Sequence, residues 1–149
     1  MNQIKIYLKS VSKPHKHPTV CIKSKSLSLD DEVTVTNSLC YSIDCSIGLH
    51  DLTVHFLNKE LNDTIVKDGE VIEDFAVIID DLKIDNISVK NFINDFSHYT
   101  DLEDNIIQTY GYLSFPKPMQ LKVQVPGLLF KRNIVLMDLN SESFEKIYK

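Results

Sequence analysis

The stretch TIVKDGEVIEDFAVIIDDLKIDN, residues 64–86, holds the two clearest structural signals in the chain. Asp68-Gly69 sits between two β-branched runs, and an Asp-Gly pair readily takes the positive φ values of a two-residue type I′ turn, so a hairpin is predicted here. From Phe75 the chain reads as a buried strand, then meets two adjacent carboxylates, Asp80 and Asp81, before apolar alternation resumes. Strict alternation puts Ala76, Ile78, Asp80, Leu82 and Ile84 on one face and Phe75, Val77, Ile79, Asp81, Lys83 and Asp85 on the other. Asp80 would then point into the core, where an unpaired carboxylate costs on the order of several kcal/mol. Three arrangements relieve that cost: a bound cation, hydrogen-bond donors or a basic partner, or a β-bulge whose extra residue switches which side chains face inward.

Outward from this stretch, period-two alternation recurs and sustained helical periodicity is scarce. IKIYLKSV (4–11) alternates Ile4, Ile6 and Leu8 with Lys5, Tyr7 and Lys9, and EVTVTNSLCYSID (32–44) alternates Val33 and Val35 with Thr34 and Thr36. HDLTVHFLN (50–58) sets Leu52, Val54 and Phe56 against Asp51, Thr53 and His55. MQLKVQV (119–125) alternates again before Pro126-Gly127, and NIVLMDL (133–139) reads as a last strand. Two helical pieces interrupt the pattern. SVKNFINDF (88–96) takes Ser88 as N-cap and buries Phe92, Ile93 and Phe96 along one side. SESFEKIYK (141–149) forms a final turn or two, with Glu142 and Lys146 matched to its dipole. SHYTDLEDNIIQ (97–108) is polar and acidic and reads as an exposed loop. Many short strands, turn signals between them and no βαβ alternation predict an all-β chain: an antiparallel, jelly-roll-like β-sandwich with one or two short helices.

The 149 residues suit a single domain, 1–149, that buries a core without staples. A hydrophobic fraction of 43% and a charged fraction of 25% are ordinary for a globular protein. The longest apolar runs, FAVII and GLLF, are too short to cross a bilayer, and the first residues lack a basic segment followed by an apolar one. No membrane insertion and no secretion signal are therefore expected, and folding is expected in a cytoplasm. A net charge of −5 disfavours nucleic acid, because a phosphate backbone offers such a chain little counterion release. Cys21, Cys40 and Cys45 are odd in number and show no CxxC spacing, which reads as buried free thiols in a reducing compartment.

Few residues point to chemistry. Ca²⁺ suits oxygen ligands at the end of the Asp80 strand, with Asn58, Asp63 and Asp74 as companions by type, although the spaced loop of an EF-hand is absent. His15 and His17 in PHKHP lie two apart, but the flanking Pro14 and Pro18 make this a stiff exposed turn. His50 and His55 read as solvated or hydrogen-bonded. No G-x-S-x-G elbow, phosphate loop or H-E-x-x-H appears, so no enzyme is expected. Tyr99, Tyr110, Tyr112 and Phe115 cluster in the loop-rich half. They read either as core-capping rings or, at Tyr110 and Tyr112, as platforms on which a sugar stacks.

Residues 50–89, HDLTVHFLNKELNDTIVKDGEVIEDFAVIIDDLKIDNISV, resemble a family of small proteins encoded by tailed bacteriophages, notably T4-like phages of marine bacteria. The shared pattern is H-x-L-x-V-x-F-x-N-K, D-T-x-V, a D-G hairpin and A-x-I-I-D-x-L-x-I-D. YGYLSFPKPMQLKVQVP (110–126) looks like the family's second signature, with Tyr112 where tryptophan is usual. The first block is also similar, more distantly, to calcium-dependent xylan-binding modules, whose strand ends map to Phe56, Asn58 and Asp80. The resemblance implies a non-catalytic virion component of capsid, neck or tail, bound to other virion proteins in an oligomeric assembly. It places Asp80 and Asn58 as calcium ligands. Its alternative is a calcium-dependent carbohydrate-binding module engaging host-envelope glycans, and a third reading is a small cytoplasmic enzyme or host-protein inhibitor. Residues 1–45 fall outside the resemblance and are expected to add strands or a docking arm.

Overall fold

A computed structural model describes residues 2–125. The predicted strand at 133–139 and helix at 141–149 lie outside the described residues. In chain order the strands begin with β1 (Asn2–Val11), β2 (Thr19–Ser24), β3 (Leu29–Thr34), β4 (Ser38–Cys45) and β5 (Gly48–Phe56). A short hairpin of β6 (Ile65–Lys67) and β7 (Glu70–Glu73) precedes the long β8 (Ala76–Ile84) and β9 (Ile87–Ser88). After one helical turn, α1 (Ile93–Phe96), come β10 (Ser97–Thr100), β11 (Ile106–Ile107), β12 (Tyr112–Leu113) and β13 (Pro118–Val125). Every pairing between them is antiparallel. Among the described residues no helix is long and apolar enough to cross a membrane.

Apart from the β6–β7 hairpin, the strands form two sheets with a common core, the all-β sandwich expected from the alternation. One sheet runs β12-β8-β1-β4 with β9 on β8; the other runs β11-β10-β13-β5-β2-β3. Ile4, Ile6 and Leu8 of β1 meet Ile84, Leu82 and Ile79 of β8 as cross-strand partners. Facing them are Val20 and Ile22 of β2, Leu52 and Val54 of β5, and Met119, Leu121 and Val123 of β13, all buried in the same cluster. Each such aliphatic side chain contributes roughly 1.5–3 kcal/mol on leaving water. Residues 2–45 supply β1 to β4, with β1 between β8 and β4 and β2 between β5 and β3.

The Asp80 question has a register answer. Tyr7 pairs with Asp81 and Leu8 with Ile79, so Asp80 is an extra residue on β8 with no partner on β1. This bulge lets Ile79 and Val77 face inward before it and Leu82 and Ile84 after it. Asp80 is turned to solvent, its side chain 59% exposed and its carboxylate 3.8 Å from Lys90 Nζ. Asp81 is held locally, accepting hydrogen bonds from the Leu82 N–H at 2.8 Å and the Ser88 hydroxyl at 2.7 Å.

The hairpin is also as predicted. Asp68 and Gly69 have φ of 54° and 79°, the two positive values of a type I′ turn. Two expectations are corrected. Ser88 is not an N-cap: it pairs with Lys83 in β9, and the helical region shrinks to a 3₁₀ turn, Lys90–Phe92, followed by α1. The segment 97–108 is not a plain loop but contains β10 and β11. Tyr99 is buried there by alternation, and the Asp101 carboxylate turns the chain by accepting the Glu103 and Asn105 N–H groups. Of the three thiols, Cys21 and Cys45 are buried but Cys40 is exposed.

Candidate functional site

Two concavities compete. The first is a pocket of about 370 Å³ floored by a buried ion pair and walled by Leu61, Val71, Leu102, Tyr112, Phe115 and Pro116. Lys59 follows the end of β5, Asp74 sits between β7 and β8, and β12 brings Tyr112 across β8. Lys59 Nζ donates to Asp74 Oδ1 at 2.7 Å, the Thr64 hydroxyl at 2.7 Å and the Phe75 carbonyl at 2.6 Å. Its three protons are thereby consumed. Asp74 also accepts from the Thr64 hydroxyl at 2.6 Å, the Phe75 N–H at 2.8 Å and the Tyr112 hydroxyl at 2.6 Å. Ser114 closes the group, 3.2 Å from Asp74 Oδ2. Burial alone would raise the Asp74 carboxyl, but hydrogen bonds from Lys59, Thr64, Tyr112 and the Phe75 N–H outweigh it and hold the group at about 2. Burial, then the bond to Asp74 and its charge, push the Tyr112 phenol up. Among the described residues the Lys59–Asp74 floor is a satisfied scaffold, its donors and acceptors engaged with one another.

The second concavity is a trough of about 530 Å³ on the outer face of the six-stranded sheet. Alternation builds it: with Ile22, Leu52, Val54, Leu121 and Val123 turned inward, the residues between them turn outward. Lys23, Thr53 and Gln120 form one row across β2, β5 and β13, and Asp51 and Lys122 form the next, with Lys25 just beyond β2. Among the described residues, these six side chains make no hydrogen bond or ion pair with one another or with their surroundings. They bring ammonium donors, a carboxylate acceptor, and an amide and a hydroxyl that do both.

The residues singled out in the sequence scatter. Asn58 accepts from the Thr19 N–H at 2.8 Å and donates to the His17 carbonyl at 2.9 Å, pinning the chain before β2 to the end of β5. No hydrogen bond links it to Asp80, which faces Lys90 instead. Asp63 is buried between Lys16 at 2.8 Å and Lys13 at 3.3 Å. Burial would raise its carboxyl, and the bonds from Lys16, the Glu60 N–H and Lys13 lower it on balance. The histidine turn is exposed at His15 and His17, though Pro18 is buried. Tyr110 is 72% exposed at a φ of 53°, while the Tyr112 ring lines the pocket with its hydroxyl committed to Asp74.

These donor sets do not fit Ca²⁺, which gathers six to eight oxygens and several negative charges. Among the described residues no three His, Cys, Asp or Glu side chains converge on one point. Asp63, Asp74 and Asp80 each already face a lysine, and both amide atoms of Asn58 are engaged with backbone.

Sequence reasoning missed both Lys59 and the trough. The signals for Lys59 were its place directly after an alternating strand and as the last residue of the H-x-L-x-V-x-F-x-N-K pattern, which names no partner for it. For the trough the signal was the polar half of strands judged by their apolar half.

No family model and no curated protein matches this sequence. Among solved structures, the chain is similar to vCBM60, a calcium-dependent carbohydrate-binding module, in its selenomethionine form. Identity is 13%, covering 81% of this chain and 90% of that one, with a TM-score of 0.52. It is also similar to vCBM60 in complex with galactobiose, at 13% identity over 82% of this chain and 97% of that one, with a TM-score of 0.46. At this identity the first of these likenesses shows a shared β-sandwich fold.

Proposed function

We propose that this chain is a non-catalytic carbohydrate-binding module whose ligand lies across the trough on the six-stranded sheet. The observation that carries the reading is the set of six polar side chains, Lys23, Lys25, Asp51, Thr53, Gln120 and Lys122, that share one concave face and have no partner among the described residues. A glycan presents a row of hydroxyls that each donate and accept, and a carboxylate, an amide, a hydroxyl and ammonium groups spaced along a sheet match that row. A trough of about 530 Å³ is within the size range of small-ligand sites. The sandwich shared with a carbohydrate-binding module supports the reading. Contact runs through side chains and draws on no calcium at Asp80 or Asn58.

Glycan-array screening followed by calorimetry tests this, using wild type, Asp51→Ala and Gln120→Ala, each with EDTA and with millimolar Ca²⁺. Both side chains are exposed, so the variants should fold as wild type does. Each lost hydrogen bond should weaken binding by roughly two- to tenfold, with no difference between EDTA and Ca²⁺. Retention of no glycan, or unchanged binding by both variants, would overturn the reading.

A second reading, an accessory module seated on a larger assembly such as a virion, is favoured by one observation: the aliphatic residues that the β6–β7 hairpin exposes.

A further inference from the structure

The β6–β7 hairpin belongs to neither sheet. Among the described residues its two strands pair only with each other, so both edges are open. A lone two-stranded ribbon is marginal in water, and open apolar edges invite another strand. All of this ribbon is exposed, and its aliphatic residues are exposed with its charges. Val66 and Val71 face each other across it at 59% and 60% exposure, and Ile72 is 59% exposed. Val71 also walls the Lys59–Asp74 pocket, together with Leu61, 75% exposed, and Leu102. An aliphatic ribbon that runs into an aliphatic pocket is the kind of surface that marks a protein-binding site.

Two further features say what would cover it. Three of the exposed aliphatic residues are flanked by exposed acids, Leu61 by Glu60, Val71 by Glu70 and Glu73, and Leu102 by Glu103 and Asp104, whereas Val66 is followed by the exposed Lys67. Lys13 and Lys16 hold Asp63, with Glu73 and Glu60 beside them, and Lys117 pairs with Asp104; Lys67 is exposed on the hairpin itself, but the acids still outnumber the lysines. The surface is therefore negative around an apolar centre. In the pocket wall, the Thr109 hydroxyl is buried with no hydrogen-bond partner among the described residues. An unmade bond at a buried hydroxyl is costly, and since this hydroxyl is closed to solvent, a docking peptide group reaches it by parting the pocket wall.

We infer that this surface docks an extended segment of a partner protein in which an aliphatic or aromatic side chain is flanked by Lys or Arg. The segment adds a strand to the hairpin edge, seats its apolar side chain in the pocket and sets its cations against the acidic rim. The inference is independent of the glycan reading, because it uses a different face and different residues.

The test is a selection of random dodecamer peptides displayed on phage, panned on the full chain and counter-selected on Leu61→Asp/Val71→Asp. Both residues are exposed, so the variant should keep the wild-type melting curve. The expected outcome is a consensus of one large apolar residue flanked by at least two basic ones. Synthetic peptides of that consensus should bind at least tenfold more tightly to wild type than to the variant. Their affinity should fall by about tenfold or more between 50 and 500 mM salt, and Thr109→Val should weaken it several-fold without lowering the melting temperature. The inference is overturned by no consensus, by a consensus without basic residues, or by equal binding to the variant. A concentration-dependent dimer in light scattering that the variant abolishes would also overturn it, assigning the surface to a second copy of this chain.

Discussion

Lys59 Nζ lies 2.7 Å from Asp74 Oδ1 with both side chains almost out of solvent, 4% and 11% exposed. The bond from Lys59 is the strongest of those that keep the Asp74 carboxyl ionised. Breaking one half strands the other in a poorly solvating environment.

Lys59→Met should therefore destabilise the protein by roughly 3–5 kcal/mol, the usual cost of an uncompensated buried charge. Chemical denaturation measures it. Lys59→Met/Asp74→Asn, which removes both charges, should recover part of the loss. A single variant as stable as wild type would contradict the pairing.

The same pair sets an acid limit. Asp74 is held below its ordinary value of 3.8, at about 2, so its contribution is present above about pH 4 and fades as pH falls toward 2. The amount at stake is roughly 2 kcal/mol. Denaturant midpoints measured from pH 5 to pH 2 should fall more steeply for wild type than for Asp74→Asn. Parallel curves would mean that Asp74 is not depressed.

At Asp80 the expectation is near-silence. Asp80→Asn should change stability by less than about 0.5 kcal/mol, as surface substitutions do. Neither wild type nor variant should melt differently in EDTA and in millimolar Ca²⁺. Saturating a calcium site at about 100 times its dissociation constant would add about 2.7 kcal/mol. A rise of several degrees that Asp80→Asn abolishes would restore the metal reading. Deleting Asp80 should also be tolerated: it removes the bulge but leaves Ile79 opposite Leu8 and Asp81 opposite Tyr7, so Val77, Ile79, Leu82 and Ile84 still face inward.

Gly111 and Gly69 make a controlled comparison. Both have positive φ, +87° and +79°, so alanine strains either backbone. A Cβ at Gly69 meets nothing within 4 Å, whereas one at Gly111 would lie 2.9 Å from the Ile79 carbonyl oxygen, the neighbour of the bulge. Gly69→Ala should cost roughly 1 kcal/mol or a little more, and Gly111→Ala clearly more than that, within the range of 1–3 kcal/mol or beyond. Equal losses would show that β8 yields at no cost.

What could be read in the chain was local. Asp68-Gly69 declares its turn through its own backbone preferences, and Ile4, Ile6 and Leu8 declare an inward face through their spacing. Asp80 left a bulge as one of several answers, because its register depends on Tyr7 and Leu8, more than 70 residues away in sequence. The trough was hidden for the same reason. Lys23, Thr53 and Gln120 form a row only because the sheet order β2-β5-β13 brings non-consecutive strands together. Likewise Lys59, Asp74 and Tyr112 are drawn from three separate segments, and nothing in the spacing of any one of them announces the other two.

The place of β1 between β4 and β8 has a consequence for how the protein is made. Asn2 to Lys9 pair with Ser38 to Cys45, but Ile4 to Val11 also pair with Ala76 to Ile84, which leave the ribosome some 30 to 40 residues later. At ~5–20 residues per second, that gap leaves one edge of a nascent β1–β4 ribbon open for about 2–8 s. During that interval Ile4, Ile6 and Leu8 have no opposing sheet, and Lys5 and Lys9 are the charges that discourage a neighbouring nascent chain from pairing there. Replacing those two lysines with threonine should leave the finished protein's stability nearly unchanged yet lower its soluble yield.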